Sequence, residues 1–431
     1  MKKILSALLA VLLLFSFAGC SNNGGKTGEK TKVTFWHTLT DHDEEMVQEI
    51  VDAFNASQDK WEVVQQTQTL EGFEAKVYSS VTEGTGPSLV WLYPNTAQDY
   101  VNAGLALDFG KYFADADYKD RVSEGVYAAS TEFADGKLHA IACTVTGSIM
   151  FYNSKLLEKY NIDKDAIKTW DDLLAACKTV VDGERAEGGV LKDIIGFGPD
   201  SVDTLGIVTL QQLGLNFINK DKTVTDWTNQ KFADWINFWK EAEAGGYFKL
   251  VDDAGYHSGP YGSWQYFSYM GSSAGLGYIT PQEKEGYGTF DIVTGPVPQI
   301  AGGKEYAEIT VRALVGFTKD DKTDEGAAEF AKFFTKAENN VKFVQKYSAA
   351  TPFKDVESSP EYKDYFEKSV AQQALAAMMP ITGTRISVAG ASGCKEAMIQ
   401  TLKTIIVSGA DVAETLKAQQ EAANTALKDA Q

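Results

Sequence analysis

Residues 32–45 read KVTFWHTLTDHDEE, and the change of period inside this stretch decides the fold. Its first four residues combine β-branched and aromatic side chains in partial alternation, the mark of a strand. From Asp43 the period becomes helical: Met46, Val47, Ile50, Val51 and Phe54 fall on one face. Asp41 and Asp43 suit the helix start, and Glu44 and Glu45 put negative charge in the first turn, where the helix dipole favours it. Trp36 and His37 therefore stand at the exit of a strand. His37 and His42 are two of four histidines in the chain. They lie among carboxylates without any familiar ligand spacing, so capping accounts for the acids and no metal is expected.

Working outward, 61–68 (WEVVQQTQ) returns to strand character, 73–81 is helical, Gly84 to Pro87 break it, and 88–93 (SLVWLY) reads as a buried strand. Strand–helix–strand–helix–strand order implies a mainly parallel sheet covered by helices, with ligands at the carboxyl ends of the strands. Trp36-His37, Phe73-Glu74 and Tyr93-Pro94-Asn95 converge on that edge, which makes the Trp-His stretch a pocket lip. A second unit begins in the middle of the chain. There 138–144 and 148–152 read as a crossing strand and a new start, 173–180 and 235–244 as helices, and 194–198 as a strand. The aromatic run 256–269 reads as a loop. Residues 309–317 (ITVRALVGF) form a strong strand candidate with Arg312 inside it, and 327–334, 341–347 and 361–378 read as helices.

The N-terminus carries Lys2, Lys3, an apolar run over 4–17 and then Ala18-Gly19-Cys20. A basic end, a short apolar core and small residues before a cleavage point make an export signal, and the run is too short to span a bilayer comfortably. Ala18-Gly19-Cys20 resembles a bacterial lipobox, in which the cysteine is lipidated and becomes the mature N-terminus. Residues 21–30 (SNNGGKTGEK) read as a polar tether. A net charge of −19 argues against nucleic acid, which needs clustered Lys and Arg. Cys143, Cys177 and Cys394 remain; three cannot all pair, and their spacing matches no metal motif.

These features line up in an order that is more specific than any one of them. A lipobox precedes a strand ending in Phe35-Trp36-His37. Asn55-Ala56 ends the first helix, Gly86-Pro87 precedes a strand, and Phe151-Tyr152-Asn153 precedes a helix. Thr169-Trp170-Asp171-Asp172-Leu173, Ser272-Ser273 and Gly383-Thr384-Arg385 follow. The series resembles the extracellular solute-binding proteins of ABC importers, in the carbohydrate and glycerol-3-phosphate class, and most of all its glycerol-3-phosphate and glycerophosphodiester receptors.

The resemblance implies an α/β, two-lobed, periplasmic-binding-protein-like (type II) fold with crossing hinge segments. After a signal peptide (1–19) and a lipid-anchored tether (20–30), one lobe takes 31–144 with 300–350 and the other 145–299 with 351–431. Crossovers fall near 144–148, 295–302 and 349–353. It further implies a lipid-anchored monomer on the extracellular face of the membrane, with no cofactor, whose partners are a small sugar or glycerol phosphate and the membrane permease. Arg385 would meet a phosphate with its planar fork of donors. Ser272 and Ser273 would bind anionic oxygens as a small nest, and Thr146 and Ser148 would offer hydroxyls at the first crossover. Glu74 and Asn95 would accept or donate to ligand hydroxyls beside Phe73. His37 would line the lip. Apart from the resemblance, Trp36, Trp91, Trp264 and Tyr266 are the aromatic candidates for stacking on a sugar face or a choline-like cation. Arg312 is either buried with a carboxylate or aimed at the cleft.

Two other functions compete: a receptor for a neutral mono- or oligosaccharide, and a secreted glycan-active enzyme. No G-x-S-x-G elbow appears, and nothing singles out two of the many carboxylates as a glycosidase pair. The expected function is binding without catalysis.

Overall fold

The computed structural model describes residues 30–69, 72–250, 256–386 and 388–430; the expected signal, Cys20 and nearly all of the tether lie outside them. Among the described residues the strands are β1 (Thr31–His37), β2 (Trp61–Thr67), β3 (Leu89–Leu92), β4 (Ala140–Asn153), β5 (Ile195–Pro199), β6 (Tyr266–Ser272), β7 (Ile292–Gly295), β8 (Ala307–Gly316) and β9 (Thr382–Gly383). Their hydrogen-bonded order is β2-β1-β3-β8-β4-β6-β5, with β7 on β4 and β9 on β8.

β1 runs parallel to β2 and β3, as strand–helix–strand order requires. Its alternation is real: Val33, Phe35 and His37 point inward while Lys32 is exposed. The following helix, Asp41–Ser57, buries Val47, Ile50, Val51 and Phe54. They meet the helices Asp321–Phe334 and Ala337–Lys346 in a first core. A smaller cluster, Phe73, Val77, Val81 and Tyr100 among others, covers the opposite face of that sheet. A second, larger core gathers Phe151, Phe197, Trp227, Trp239 and Tyr269 from the middle of the chain, with Leu375, Met398 and Leu416 from its end.

β4 and β8 belong to both bodies. A break was expected between 144 and 148, but β4 is one continuous 14-residue strand. Its first half pairs antiparallel with β8, from Ala140↔Val315 to Gly147↔Ile309, with a bulge between Ala142 and Thr144. Its second half pairs with β6 and β7. Gly147 is there for closeness rather than for a turn: a Cβ on it would come 2.6 Å from Leu375 Cδ1 and 3.1 Å from the Glu308 carbonyl oxygen.

The other two crossovers also lie elsewhere than expected. β7 pairs within the second body and Val297 packs in its core, so the second crossing strand is β8 rather than 295–302. At 349–353 the chain only touches the ribbon, where Ala350 exchanges backbone hydrogen bonds with Val145. Val356 and Tyr362 stay with the first core. The chain passes over at Ser369, whose extended ψ of 105° splits the expected helix 361–378 into Pro360–Lys368 and Val370–Met378. One further helix was not expected at all, and the run 256–269 expected as a loop ends in a strand. The helix Val202–Gln212 buries ten of its eleven residues, and β6 is buried on both faces; neither shows a period, because neither has a wet side.

The tail returns through β9 and places Arg385 in a buried ionic knot. Its Nε and Nη2 donate to the two oxygens of Glu308 at 2.7 and 2.8 Å. Nη1 donates to Asp203 at 2.7 Å, and Nη2 also to the Thr204 hydroxyl at 2.8 Å. Glu308 is on β8 and Asp203 on the helix Val202–Gln212, so one guanidinium ties the crossing ribbon to the second body. Burial alone would raise the Asp203 carboxyl, but Arg385 and Lys395 outweigh it and hold it below the usual range. A pKa depressed by folding contributes stability above the ordinary carboxylate value of about 3.9, and that stability is lost as the pH falls. Arg385→Met strands two buried carboxylates and is expected to cost about 3–5 kcal/mol at neutral pH. Urea unfolding followed from pH 7 down to pH 3 should show the gap to the native protein closing as those carboxylates protonate.

Candidate functional site

The site is assembled on the crossing ribbon. Residues directly opposite in an antiparallel pair share a face, so the pairs Thr144↔Arg312 and Thr146↔Thr310 put three hydroxyls and a guanidinium on one side. Arg312 continues past the end of β3, where Leu92 pairs with Ala313. It thereby meets Tyr93, with its guanidinium carbon 3.6 Å from the ring centroid. Tyr347, at the end of the helix Ala337–Lys346, closes the same corner beneath Trp91, whose ring centroid lies 6.2 Å away. Burial pushes the Tyr347 phenol up to about 12, against the pull of Arg312. From the second body Tyr256 reaches over. It exposes 61% of its surface, yet its hydroxyl lies within electrostatic range of Tyr93, Asp200 and Arg312. Asp200, just past β5, is fixed by the His257 backbone N–H.

The bodies also touch at the rim. The Tyr278 hydroxyl, from the turn Ser273–Tyr278 of the second body, donates to Asp43 Oδ2 at 2.7 Å in the first turn of the helix Asp41–Ser57. The His42 ring lies against Tyr278, with centroids 5.3 Å apart. Burial raises the Asp43 carboxyl, although Tyr278 and His42 pull the other way.

The residues singled out from sequence divide into three groups. Thr146 and Ser148 lie on β4, Ser148 directly opposite Ser272 on β6, so these do come together at the crossing. Ser272 caps the turn that leads to Tyr278, accepting from the Ala274 N–H at 3.3 Å. The buried Ser273 hydroxyl accepts from the Gly147 N–H at 3.3 Å; it fastens the turn to the ribbon instead of forming an open nest.

A second group stays at the strand ends. Trp36 is half-buried, donates to Gln66 at 2.6 Å and carries Lys76 over its ring. It packs with the Phe73 cluster, on the other face of the sheet from Trp91. Phe73 is buried in that cluster, Glu74 is exposed beside it, and Asn95 is half-buried in the turn after β3.

The third group is turned inward. His37 is fully buried. Its Nδ1 accepts from the Leu39 N–H at 3.2 Å, leaving Nε2 to donate to Gln65 at 2.7 Å. Burial lowers its pKa, so the ring is neutral and both nitrogens are engaged; it is part of the core rather than a lip. Trp264 packs on Phe290 and gives its indole N–H to the Gln282 carbonyl at 2.8 Å, which removes it from any stacking role. The donors of Arg385 go to Glu308, Asp203 and Thr204, so the phosphate role implied for it is replaced by a structural one. The aromatic groups that do gather, Tyr93, Tyr256 and Tyr347, are separated by most of the chain. The one local sign of the site was Arg312, a charge inside an apolar strand.

A cavity of about 380 Å³ lies behind the ribbon, between Val126 and Val145 on one side and Phe366, Leu375 and Met379 on the other. Val145 alternates with Thr144 and Thr146 along β4, so this cavity is on the face away from Arg312. Its Gln372 amide and Tyr362 hydroxyl are already bonded, to the Ser348 carbonyl and the Thr351 N–H. We therefore place the recognition site at Arg312 and not in this cavity.

Cys143, Cys177 and Cys394 are buried free thiols. No described helix is long and apolar enough to cross a membrane.

Comparison with known proteins agrees with this architecture. Over 404 residues the chain is 26% identical to the arabinooligosaccharide-binding protein of Bacillus subtilis (strain 168), covering 85% of this chain and 86% of that one. Its fold matches the cyclic alpha-maltosyl-1,6-maltose binding protein of Arthrobacter globiformis with a TM-score of 0.74 at 20% identity, over 93% of this chain and all of that one. It also matches UgpB of Mycobacterium tuberculosis, solved with glycerophosphocholine, with a TM-score of 0.78 at 15% identity, over 93% and 99% of the two chains. These structural likenesses establish the two-lobed type II binding-protein fold. The profile of the bacterial extracellular solute-binding proteins matches residues 49–369, and the chain belongs to that family.

Proposed function

We propose that this chain is the receptor of an ABC importer, lipid-anchored through Cys20 and monomeric, and that it takes an oligosaccharide between its two bodies and hands it to the membrane permease. The observation that carries the reading is the gathering of Tyr93, Tyr347 and Tyr256 around Arg312 where the bodies meet. Aromatic faces pack against the apolar faces of sugar rings, and a guanidinium with hydroxyls nearby supplies the directional bonds. The relative named for arabinooligosaccharides supports the same class. A glycerol phosphate held by Arg385 is the weaker reading, because that guanidinium is already shared by two carboxylates.

Binding is coupled to closure. A solute touching Tyr93 on one body and Tyr256 on the other makes its full set of contacts only when the two approach, and that difference shifts the population. The permease then recognises the closed form.

A thermal-shift and calorimetric screen tests this with arabinotriose, maltotriose, mannotriose, glycerol-3-phosphate and glycerophosphocholine. An oligosaccharide should stabilise the fold by mass action, about 2.7 kcal/mol at a hundred times its Kd, and be recovered unaltered. Release of shorter sugars from the bound one would contradict it.

The Tyr278–Asp43 hydrogen bond joins the bodies, so Tyr278→Phe should weaken the preferred sugar roughly fivefold, about 1 kcal/mol. Small-angle scattering of the ligand-free variant should report a larger radius than the native protein.

A further inference from the structure

Arg312 differs from every other arginine in the chain. Arg121 pairs with Asp355 at 3.0 Å, Arg185 with Asp182 at 3.5 Å, and Arg385 with Asp203 and Glu308 at 2.7 Å each. Among the described residues Arg312 has no carboxylate partner and none of its donors is hydrogen-bonded, although it is half-buried and the chain carries a net charge of −19. A guanidinium presents five N–H donors, and leaving all of them idle inside a protein rich in carboxylates is costly unless something arrives to use them.

The surroundings hold the group ready. Stacking on Tyr93 at 3.6 Å positions the guanidinium through its face, a contact that uses none of its N–H donors. Directly across the ribbon stands Thr144, whose buried hydroxyl also has no hydrogen-bond partner. Two unfilled polar groups on one face, one a cation and one a hydroxyl, describe a subsite for an anion.

We propose that Arg312 and Thr144 form an anion subsite, which takes a carboxylate or phosphate carried by the solute. The subsite rests on the receptor reading and narrows it. The preferred solute is acidic, either an oligosaccharide with a uronic acid residue or a phosphorylated polyol. The acid meets Arg312 while the rest of the solute lies along Tyr347 and Tyr256.

Calorimetry on the full protein at low and at moderate salt tests the subsite, with four probes. These are an oligosaccharide bearing one uronic acid residue, its carboxyl-reduced counterpart, glycerophosphocholine and glycerol-3-phosphate. A charge-assisted fork is expected to favour one anionic class at least tenfold over the reduced sugar, with a preference that shrinks as salt is raised. The uronic sugar and the two phosphates tell the sources apart. Arg312→Gln should abolish the preference and Arg312→Lys should keep part of it. If neutral sugar binds as well as every anionic probe, or if Arg312→Gln weakens charged and reduced sugars by the same factor, the subsite is wrong while the receptor stands. Binding of none of the probes overturns the subsite, and the receptor reading falls with it if arabinotriose, maltotriose and mannotriose also fail to bind. The native comparison needs no variant, so a poorly folding substitution leaves the test intact.

Discussion

Two strands passing between two hydrophobic cores face a constraint that governs the rest of this molecule. Their backbone N–H and C=O groups leave one sheet before they enter the next, and buried backbone groups must be paired. β4 and β8 meet the requirement by pairing with each other through the crossing, from Ala140↔Val315 to Gly147↔Ile309. Ala350 then pairs with Val145 on the side left open. The connection is thus a ribbon whose crossing residues pair mainly with each other, with Ala350 closing one edge. The ribbon is shared by both bodies, and the residues proposed for recognition lie on it or beside it.

The same ribbon explains why two half-buried arginines have opposite roles. Glu308 and Arg312 are both on β8, four residues apart and on the same face. Near Glu308 the ribbon enters the second body, where water is excluded and an unpaired carboxylate is untenable; Arg385 arrives from the tail to neutralise it, with Asp203 sharing the charge. Near Arg312 the ribbon faces the junction, and an aromatic ring takes the place of a counter-ion. A tyrosine face lets a guanidinium be positioned without consuming its donors. The arginine that resemblance marked for binding became a structural tie, and the one left undecided is the group available to a ligand.

How far the chain could be read without coordinates depended on whether an element has a wet face. β1 and the helix Asp41–Ser57 were legible because their buried residues alternate or repeat against exposed ones. The helix Val202–Gln212 and β6 were illegible because burial on all sides erases the period. The break at Ser369 was hidden too, since the residues on either side remain good helix formers. The site followed the same logic at longer range. His37 and Trp264 have the chemistry of ligand contacts, but their partners, Gln65 and the Gln282 carbonyl, lie in other strands and turns. No local pattern says whether a polar tip is already satisfied. Arg312 meets Tyr93 through the pairing of β3 with β8, while Tyr347 comes from a helix end and Tyr256 from the second body, so their proximity is a property of topology.

The rim contact between Tyr278 and Asp43 joins the two bodies only weakly. The hydrogen bond favours the joined state, but it requires a carboxylate out of water, and burial already raises the Asp43 pKa. Attraction and desolvation oppose each other, so the net bias is small. A strongly favourable latch would hold the bodies together without solute and give the permease a false signal; a ligand shifts the equilibrium only by what it adds to the closed form. In the proposed arrangement that addition comes at the junction, where Arg312 stacks on Tyr93 and keeps its donors for the solute.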